Sequence, residues 1–339
     1  VGPWASHRSQ FMIASLRGAA KAAGKPWGVF FAPWGPEGCT SFIPLEESSW
    51  QIPPETWDKS IWPIGPDLGP STALQRRIFF HAYLSGAHTL HEEWGAEGNL
   101  TNWADGVLSS YGGVTRDLLD FQEHAGDVGE PFVPIALVLD ATVVPPFAIG
   151  GKLQHWIPPR AIDLDWAKVK DALYPQPASA AAKAASELAQ REVACYAPSP
   201  YPEMFDVVPS DAPDNLWSSY REVISIGDGH APDGAQRGPV DTQIARLNAA
   251  IEKWSPLKRT GDMLMQINFR AGDKAWIIGL YNPYGAYRGN VADAGSILDE
   301  GCIQRETIHM KNPVKSARIL HAWPAGTGIE RRGDDLEAT

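Results

Sequence analysis

The chain has 339 residues, of which 44% are hydrophobic, which is enough for a sizeable core in two or three units. Its formal net charge of -11 provides no positive field for a nucleic-acid backbone or an anionic membrane surface, so we expect neither as a partner. No apolar run approaches the ~20 residues of a membrane-spanning helix, and the three cysteines lack the CxxC spacing of a zinc site.

The first part of the chain alternates helices with short apolar strands, which predicts parallel strands covered by helices. A Pro- and Trp-rich loop from Pro33 to Gly69 follows the first strand, at the end where barrel enzymes keep their chemistry. The predicted elements are a helix from Ser9 to Ala23 ending at Gly24, a strand over 27–32, a helix from Ser71 to Ser85, a strand over 86–91 and a helix over 114–124.

The middle of the chain predicts a second, smaller α/β unit. The apolar runs Val133 to Asp140 and Arg221 to Asp228 each end in an acid and fit two strands of one small open sheet. The Ala-rich stretch Ala178 to Glu192 is predicted as a helix, with a solvated linker as the alternative. A further helix is predicted from Val240 to Trp254.

The last part changes to strands. Asp262 to Arg270 alternates apolar and polar residues, Ala275 to Tyr281 repeats the pattern, and a turn follows at 282–285. The segments 303–310 and 317–323 are also strand-like. We therefore predict a small antiparallel β-sandwich, followed by a polar and frayed tail from Gly326.

The acidic pair at the end of the second strand is the most informative candidate site. Glycoside hydrolysis with retention needs two carboxyl groups about 5–5.5 Å apart, and inversion needs a wider gap. Adjacent side chains of a strand point to opposite sides, so only one of Glu92 and Glu93 can face a barrel axis. The other is expected to form a salt bridge or hydrogen bond behind it, unless both simply cap the strand at the surface.

Other residues near the strand ends complete the predicted site. Glu37, on the loop after the first strand, is a second candidate acid, with an ordinary loop residue as the alternative. His91 could orient a carboxylate or a sugar hydroxyl, or be satisfied by its neighbours. Among 14 tryptophans, which mostly pack in cores and loops, the candidates for stacking on sugar rings are Trp34, Trp94 and Trp103.

Other chemistries lack their sequence motifs. The chain contains no GxGxxG after a strand, no GxxxxGK[ST], no HExxH and no GxSxG. We therefore predict no nucleotide cofactor and no metal site. Cys195 lacks the glycine-flanked strand-to-helix turn that would expose a nucleophile, so the middle unit is expected to serve as scaffold.

The order of parts resembles the C-terminal half of family 42 β-galactosidases. Lys25 to Trp34 looks like the seventh barrel strand, Ser85 to Trp94 like the eighth, and 276–282 like a strand of the terminal sandwich. The resemblance implies an α/β chain containing the C-terminal portion of a TIM barrel (1–129), an amidotransferase-like, flavodoxin-type domain (130–255), a β-sandwich (256–325) and a tail (326–339).

One departure from that family concerns the nucleophile, which the family places at the end of the seventh strand. Here Phe31-Ala32-Pro33 occupies that place, and no acid occurs before Glu37. The family's acid/base glutamate follows a fourth strand that this sequence does not contain. We therefore expect a fragment or processed product, starting at Val1, that is inactive alone.

The expected function is hydrolysis of an oligo- or polysaccharide, with a galactose-containing sugar as one candidate. A non-catalytic carbohydrate-binding or structural module is the first alternative. A polysaccharide lyase using His91, Tyr111 or a lysine as base is the second. Carbohydrate is the expected partner, a homo-oligomer could form through the middle unit, and a secreted or periplasmic location is favoured over a cytoplasmic one.

Overall fold

The structure is a computed structural model. It describes residues 9–31, 72–93, 99–102, 104–140, 143, 160–175, 196, 198–227, 231–283, 286–288, 296–298, 305–323, 327–332 and 335–338. Several predicted features lie outside these residues, namely the loop 33–69 with Trp34 and Glu37, Trp94, Trp103, the Ala-rich stretch 178–192 and the three cysteines.

The described part of the chain is mixed α/β, with several small sheets. Its helices are α1 Ser9–Ala23, α2 Thr72–Leu84, α3 Ser110–Ala125, α4 Ala161–Leu173, α5 Asp214–Trp217 and α6 Val240–Trp254. Its strands are β1 Gly28–Phe31, β2 Thr89–Glu92, β3 Leu100–Asn102, β4 Val107–Leu108, β5 Glu130–Pro131, β6 Ile135–Leu139, β7 Pro202–Glu203, β8 Phe205–Pro209, β9 Glu222–Ser225, β10 Leu257–Thr260, β11 Leu264–Arg270, β12 Ala275–Tyr281, β13 Ala286–Arg288, β14 Ser296–Leu298, β15 Glu306–Met310, β16 Ile329–Arg332 and β17 Asp335–Ala338.

The first strands form the predicted parallel pair. β1 and β2 run in parallel, with register from Gly28↔Thr89 to Phe31↔Glu92. Alternate residues of β1 are buried, and the Phe31 ring meets Phe79 of α2 and Tyr111 of α3 at 6.0 and 5.4 Å. Two helices thus cover one face of the pair. The described strands do not form a closed barrel.

The middle sheet has the parallel order β8-β6-β9. The predicted pairing of the two acid-terminated strands is confirmed, and β8, which the sequence analysis missed, completes the sheet. β6 is a continuous apolar run because the sheet is covered on both faces. α1 packs closely on β8, since a Cβ added at Gly18 would lie 2.0 Å from the Val207 carbonyl oxygen.

A buried ion pair fixes α1 to β8. Arg17 Nε donates to Asp206 Oδ1 at 2.5 Å, and the two side chains are 3% and 0% exposed. Lys21 Nζ and the Tyr220 hydroxyl both donate to Asp206 Oδ2 at 2.7 Å. Burial opposes ionisation of Asp206, but Arg17 and Lys21 outweigh it and lower the pKa of this carboxyl group. Asp206 is therefore a buried carboxylate with three donors.

The C-terminal strands form two further sheets. β11 and β12 pair antiparallel as predicted, and β5 and β7 also pair with β11. The other sheet is antiparallel, with order β10-β15-β17-β16. The predicted frayed tail is therefore wrong, because 329–332 and 335–338 are strands paired at the edge of this sheet. The predicted strand over 317–323 is also wrong, since this segment has no regular structure.

Side chains from different predicted domains pack together. The domain boundaries themselves stay predictions. One hydrophobic cluster contains buried residues from every part of the chain, including Phe11, Phe31, Ile135, Met265 and Ile308. Helix α2 lies against β11 as well as β1, since Asn268 Nδ2 donates to the Leu84 carbonyl oxygen at 2.8 Å. The helix next to the candidate site is thus held from several sides.

A buried polar cluster also joins α2 to the sheet that contains β7 and β11. Glu203 of β7 lies 2.5 Å from His81 Nε2 through Oε2, and its Oε1 accepts from the Tyr174 hydroxyl at 2.7 Å. His81 and Glu203 are 0% and 2% exposed. Burial, together with the nearby Glu203, raises the pKa of Tyr281 well above its ordinary value.

Candidate active site at the end of β2

The two faces of the β1–β2 pair have different surroundings. Side chains alternate across the pair, so Phe31 and its register partner Glu92 lie on the face covered by α2 and α3. On the other face, the Phe30 ring stacks on His91, with centroids 5.4 Å apart and planes at 16°. His91 is exposed. This face, which carries an exposed side chain among the described residues, is the one where a ligand could approach.

Glu92 is held by three neutral donors on the helix-covered face. Its Oε1 accepts from Gln75 Nε2 of α2 and from the Thr115 hydroxyl of α3, the latter at 3.2 Å. Its Oε2 accepts from Asn99 Nδ2. Thr115 also lies 3.0 Å from Asn99 Oδ1, so it connects two members of this network. Both oxygens of Glu92 are thereby engaged with the protein.

Burial dominates the electrostatics of Glu92. Loss of water raises the pKa of this carboxyl group, although the hydrogen bonds from Asn99, Gln75 and Thr115 act in the opposite direction. Glu92 is half-buried, whereas Gln75 is fully buried. Burial thus shifts Glu92 toward its protonated form, and its hydrogen bonds tie it to α2, α3 and Asn99.

Glu93 is the turn residue that directly follows β2. Its backbone N–H donates to the Phe31 carbonyl oxygen at 2.9 Å, so the ladder between the two strands extends to this residue. Alternation directs its side chain to the face that carries His91. Glu93 is half-buried. Glu92 thus lies among the helices, and the opposite orientation of Glu93 stays a prediction.

The described residues bring together part of the predicted site. His91, Glu92 and Glu93 lie at one strand end as expected, while Glu37, Trp34, Trp94 and Trp103 lie outside the described residues. Sequence reasoning missed the donors to Glu92. They are a glutamine, an asparagine and a threonine from three separate segments, and no spacing along the chain relates them.

The described parts of the chain contain no group of three or more His, Cys, Asp or Glu residues placed to hold a metal ion. No helix among the described residues combines the length and apolar character needed to cross a membrane.

Comparisons with known proteins give one weak likeness. No family model matches the chain, and no curated protein matches it significantly. Among solved structures, it is similar to a polyextremophilic beta-galactosidase from the Antarctic haloarchaeon Halorubrum lacusprofundi, with 12% identity and a TM-score of 0.33. The alignment covers 95% of this chain and 54% of that one, so the chain spans about half the length of that enzyme. A TM-score this low establishes neither a shared fold nor a shared activity.

Proposed function

We propose that the chain contributes to a glycoside hydrolase in which Glu93 is the reacting carboxylate at the end of β2. The observation that supports this proposal is the placement of Glu92. Glu92 is held by Gln75, Asn99 and Thr115 on the helix side, and strand alternation extended by one residue predicts that Glu93 lies on the face that carries His91. A carboxylate on that face can approach a sugar ring.

The proposed roles of the two glutamates follow from their surroundings. A nucleophile needs an oxygen directed at the anomeric carbon, whereas the three hydrogen bonds of Glu92 direct both of its oxygens toward α2, α3 and Asn99. Burial also raises the pKa of Glu92, which makes its ionised form less accessible. Glu92 therefore acts as a positioning residue, which ties β2 to α2 and α3 and so fixes the strand end that carries Glu93.

Hydrolysis needs a second carboxyl group as proton donor or base. Within this chain the candidate is Glu37, on the loop that follows β1 in sequence. Trp34, Trp94 and Trp103 are the proposed stacking surfaces, since flat aromatic faces pack against the C–H faces of sugar rings. The substrate class is an oligo- or polysaccharide, with galactosides as the first to test.

The test compares Glu93→Gln with Glu92→Gln in the full-length gene product, using a panel of p-nitrophenyl glycosides that includes the β-galactoside. Glu93→Gln keeps the size of the side chain and removes its charge, so kcat should fall by at least roughly a hundredfold with folding intact. If Glu93 is the nucleophile, Glu93→Ala should regain turnover with azide, which replaces the missing carboxylate and yields a glycosyl azide.

Glu92→Gln serves as the control at the adjacent position. Its new amide N–H group would face the donors of Asn99 or Gln75, so it should lower the free energy of unfolding by about 1–3 kcal/mol and affect turnover less. The proposal is wrong if Glu93→Gln keeps near-normal kcat. Loss of turnover in Glu92→Gln alone would reverse the two roles.

A further inference from the structure

Residues 311–323 form an irregular segment that contacts α2 and α3, the two helices that hold Glu92. The segment has no helix or strand, and its residues are exposed except for Val314 and His321, which are half-buried. Arg331 of β16 donates to the Val314 and Lys315 carbonyl oxygens at 2.9 and 3.3 Å, which holds the first half of the segment. The second half is held by His321 and Trp323.

The His321 ring occupies an aromatic slot between α2 and α3. It stacks on Phe80 of α2, with centroids 4.6 Å apart and planes at 20°, and it meets the edge of Phe121 of α3 at 5.6 Å. Two residues further on, Trp323 lies over the Arg76 guanidinium at 4.7 Å. One short stretch of chain therefore bridges both helices.

The charged groups that face His321 are Arg76 of α2 and Asp117 of α3. His321 Nε2 is 3.5 Å from Asp117 Oδ2, which is too long for a strong hydrogen bond. Asp117 is already ion-paired with Arg76. The Asp117 carboxylate, which would stabilise a protonated His321, is thus paired with Arg76, whose positive charge repels a protonated His321.

These surroundings favour the neutral imidazole. Burial lowers the pKa of His321, and the Arg76 charge lowers it further. The attraction of a cationic ring for the Phe80 face acts in the opposite direction. The segment is docked when the His321 ring lies in this slot. Because docking lowers the pKa of His321, its stabilising contribution is complete above the ordinary histidine pKa of 6.5. The contribution is lost as the pH falls through the lower pKa of the docked histidine.

We propose that residues 311–323 are a strap latched across α2 and α3 by neutral His321, and that protonation of His321 releases it. Release uncovers Phe80 and Phe121 on the two helices that also supply Gln75 and Thr115 to Glu92. The device needs no ligand, because the switching group and its slot belong to the same chain. It is independent of the proposed hydrolase function.

The test is limited proteolysis with a broad-specificity protease at about pH 7.5 and about pH 5.5, on either side of the ordinary histidine range. Cleavage within 311–323 is located by mass spectrometry and compared with His321→Phe, which keeps a ring in the slot and cannot be protonated. Taking the ratio of wild type to His321→Phe at each pH cancels the pH dependence of the protease.

We expect a ratio near one at the higher pH and a several-fold excess of wild-type cleavage at the lower. Once the pH is below the pKa of His321 in both the docked and the released segment, the released fraction depends on the difference between these two pKa values. Each unit of difference multiplies the released fraction by about ten. His321→Lys, which carries a permanent charge, should be cleaved faster than wild type already at the higher pH. His309→Gln, at an exposed histidine on β15, should retain the wild-type pH response.

A wild-type to His321→Phe ratio that is the same at both pH values overturns the proposal. If His321→Phe does not fold, His321→Gln replaces it. The strap of the His321→Gln variant is held less tightly. Its rate of cleavage, divided by the rate of cleavage elsewhere in the chain, must be the same at both pH values. A pH response retained in His321→Gln would assign the effect to another group.

Discussion

Replacing Asp206 by asparagine tests the buried ion pair that joins α1 to β8. The variant keeps the shape of the side chain and one acceptor oxygen but removes the charge. Asp206 is 0% exposed and Arg17 is 3% exposed, so the guanidinium cannot turn to water when its partner is neutralised. The perturbation therefore leaves an uncompensated buried cation.

The expected loss follows from the degree of burial. Removing one partner of a buried pair costs about 3–5 kcal/mol, whereas exposed pairs contribute about 0–1 kcal/mol. Lys21 adds little to the loss because it is 40% exposed and can be hydrated. At the lower end of about 2–4 °C per kcal/mol, which suits larger proteins, the melting temperature should fall by roughly 6–10 °C.

Thermal unfolding followed by circular dichroism, together with urea unfolding, measures the change. Lys253→Met is the matched control, because it breaks an ion pair with Glu222 whose lysine is 59% exposed, and it should cost under about 1 kcal/mol. The double variant Arg17→Met with Asp206→Asn should recover part of the loss, since no buried charge remains without a partner. An Asp206→Asn variant within about 1 kcal/mol of wild type would refute the reasoning.

Two further predictions concern the same junction. Gly18→Ala should destabilise the protein by about 1–3 kcal/mol in urea unfolding despite the better helix propensity of alanine, because its methyl group would meet the Val207 carbonyl oxygen. Gly113→Ala in α3, where a Cβ meets no atom within 4 Å, should be neutral or stabilising, and equal effects at both sites would contradict the packing argument. Because the pKa of Asp206 is lowered in the folded protein, its contribution is present above its ordinary 3.8 and lost as pH falls through the native value. The stability difference between wild type and Asp206→Asn should therefore narrow below that pH, and a constant difference would count against the ion pair.

The sequence predicted elements whose signals are local. The bounds of α1 and α6 are those predicted, because helical periodicity and stop signals lie within each segment. The prediction of a frayed tail from Gly326 was wrong for the opposite reason. Its strands 329–332 and 335–338 are polar. The second pairs with β15, in a register such as Glu306↔Ala338, and the first pairs with the second. The pairing of 335–338 with β15 joins segments about 30 residues apart, and neither segment carries a local signal for it.

The candidate site shows the same limit. Alternation in the sequence predicted that Glu92 and Glu93 point to opposite faces, but it could not say which face the helices cover. That depends on Phe31 packing against Phe79 and Tyr111, contacts between residues far apart in the chain. Glu92 contacts Gln75 for the same reason, so its assignment needed the tertiary structure.

The pairing of His81 with Glu203 has a consequence for how this protein can diverge. Each residue occupies a site closed to water, and Glu203 also accepts from Tyr174. Replacing one of the two residues leaves a buried polar group of the other without its hydrogen-bond partner. This lowers the free energy of unfolding by about 1–3 kcal/mol, or by more when that group is charged. We therefore expect positions 81 and 203 to vary together among homologues, as an apolar pair or as a polar pair, although 122 residues separate them along the gene.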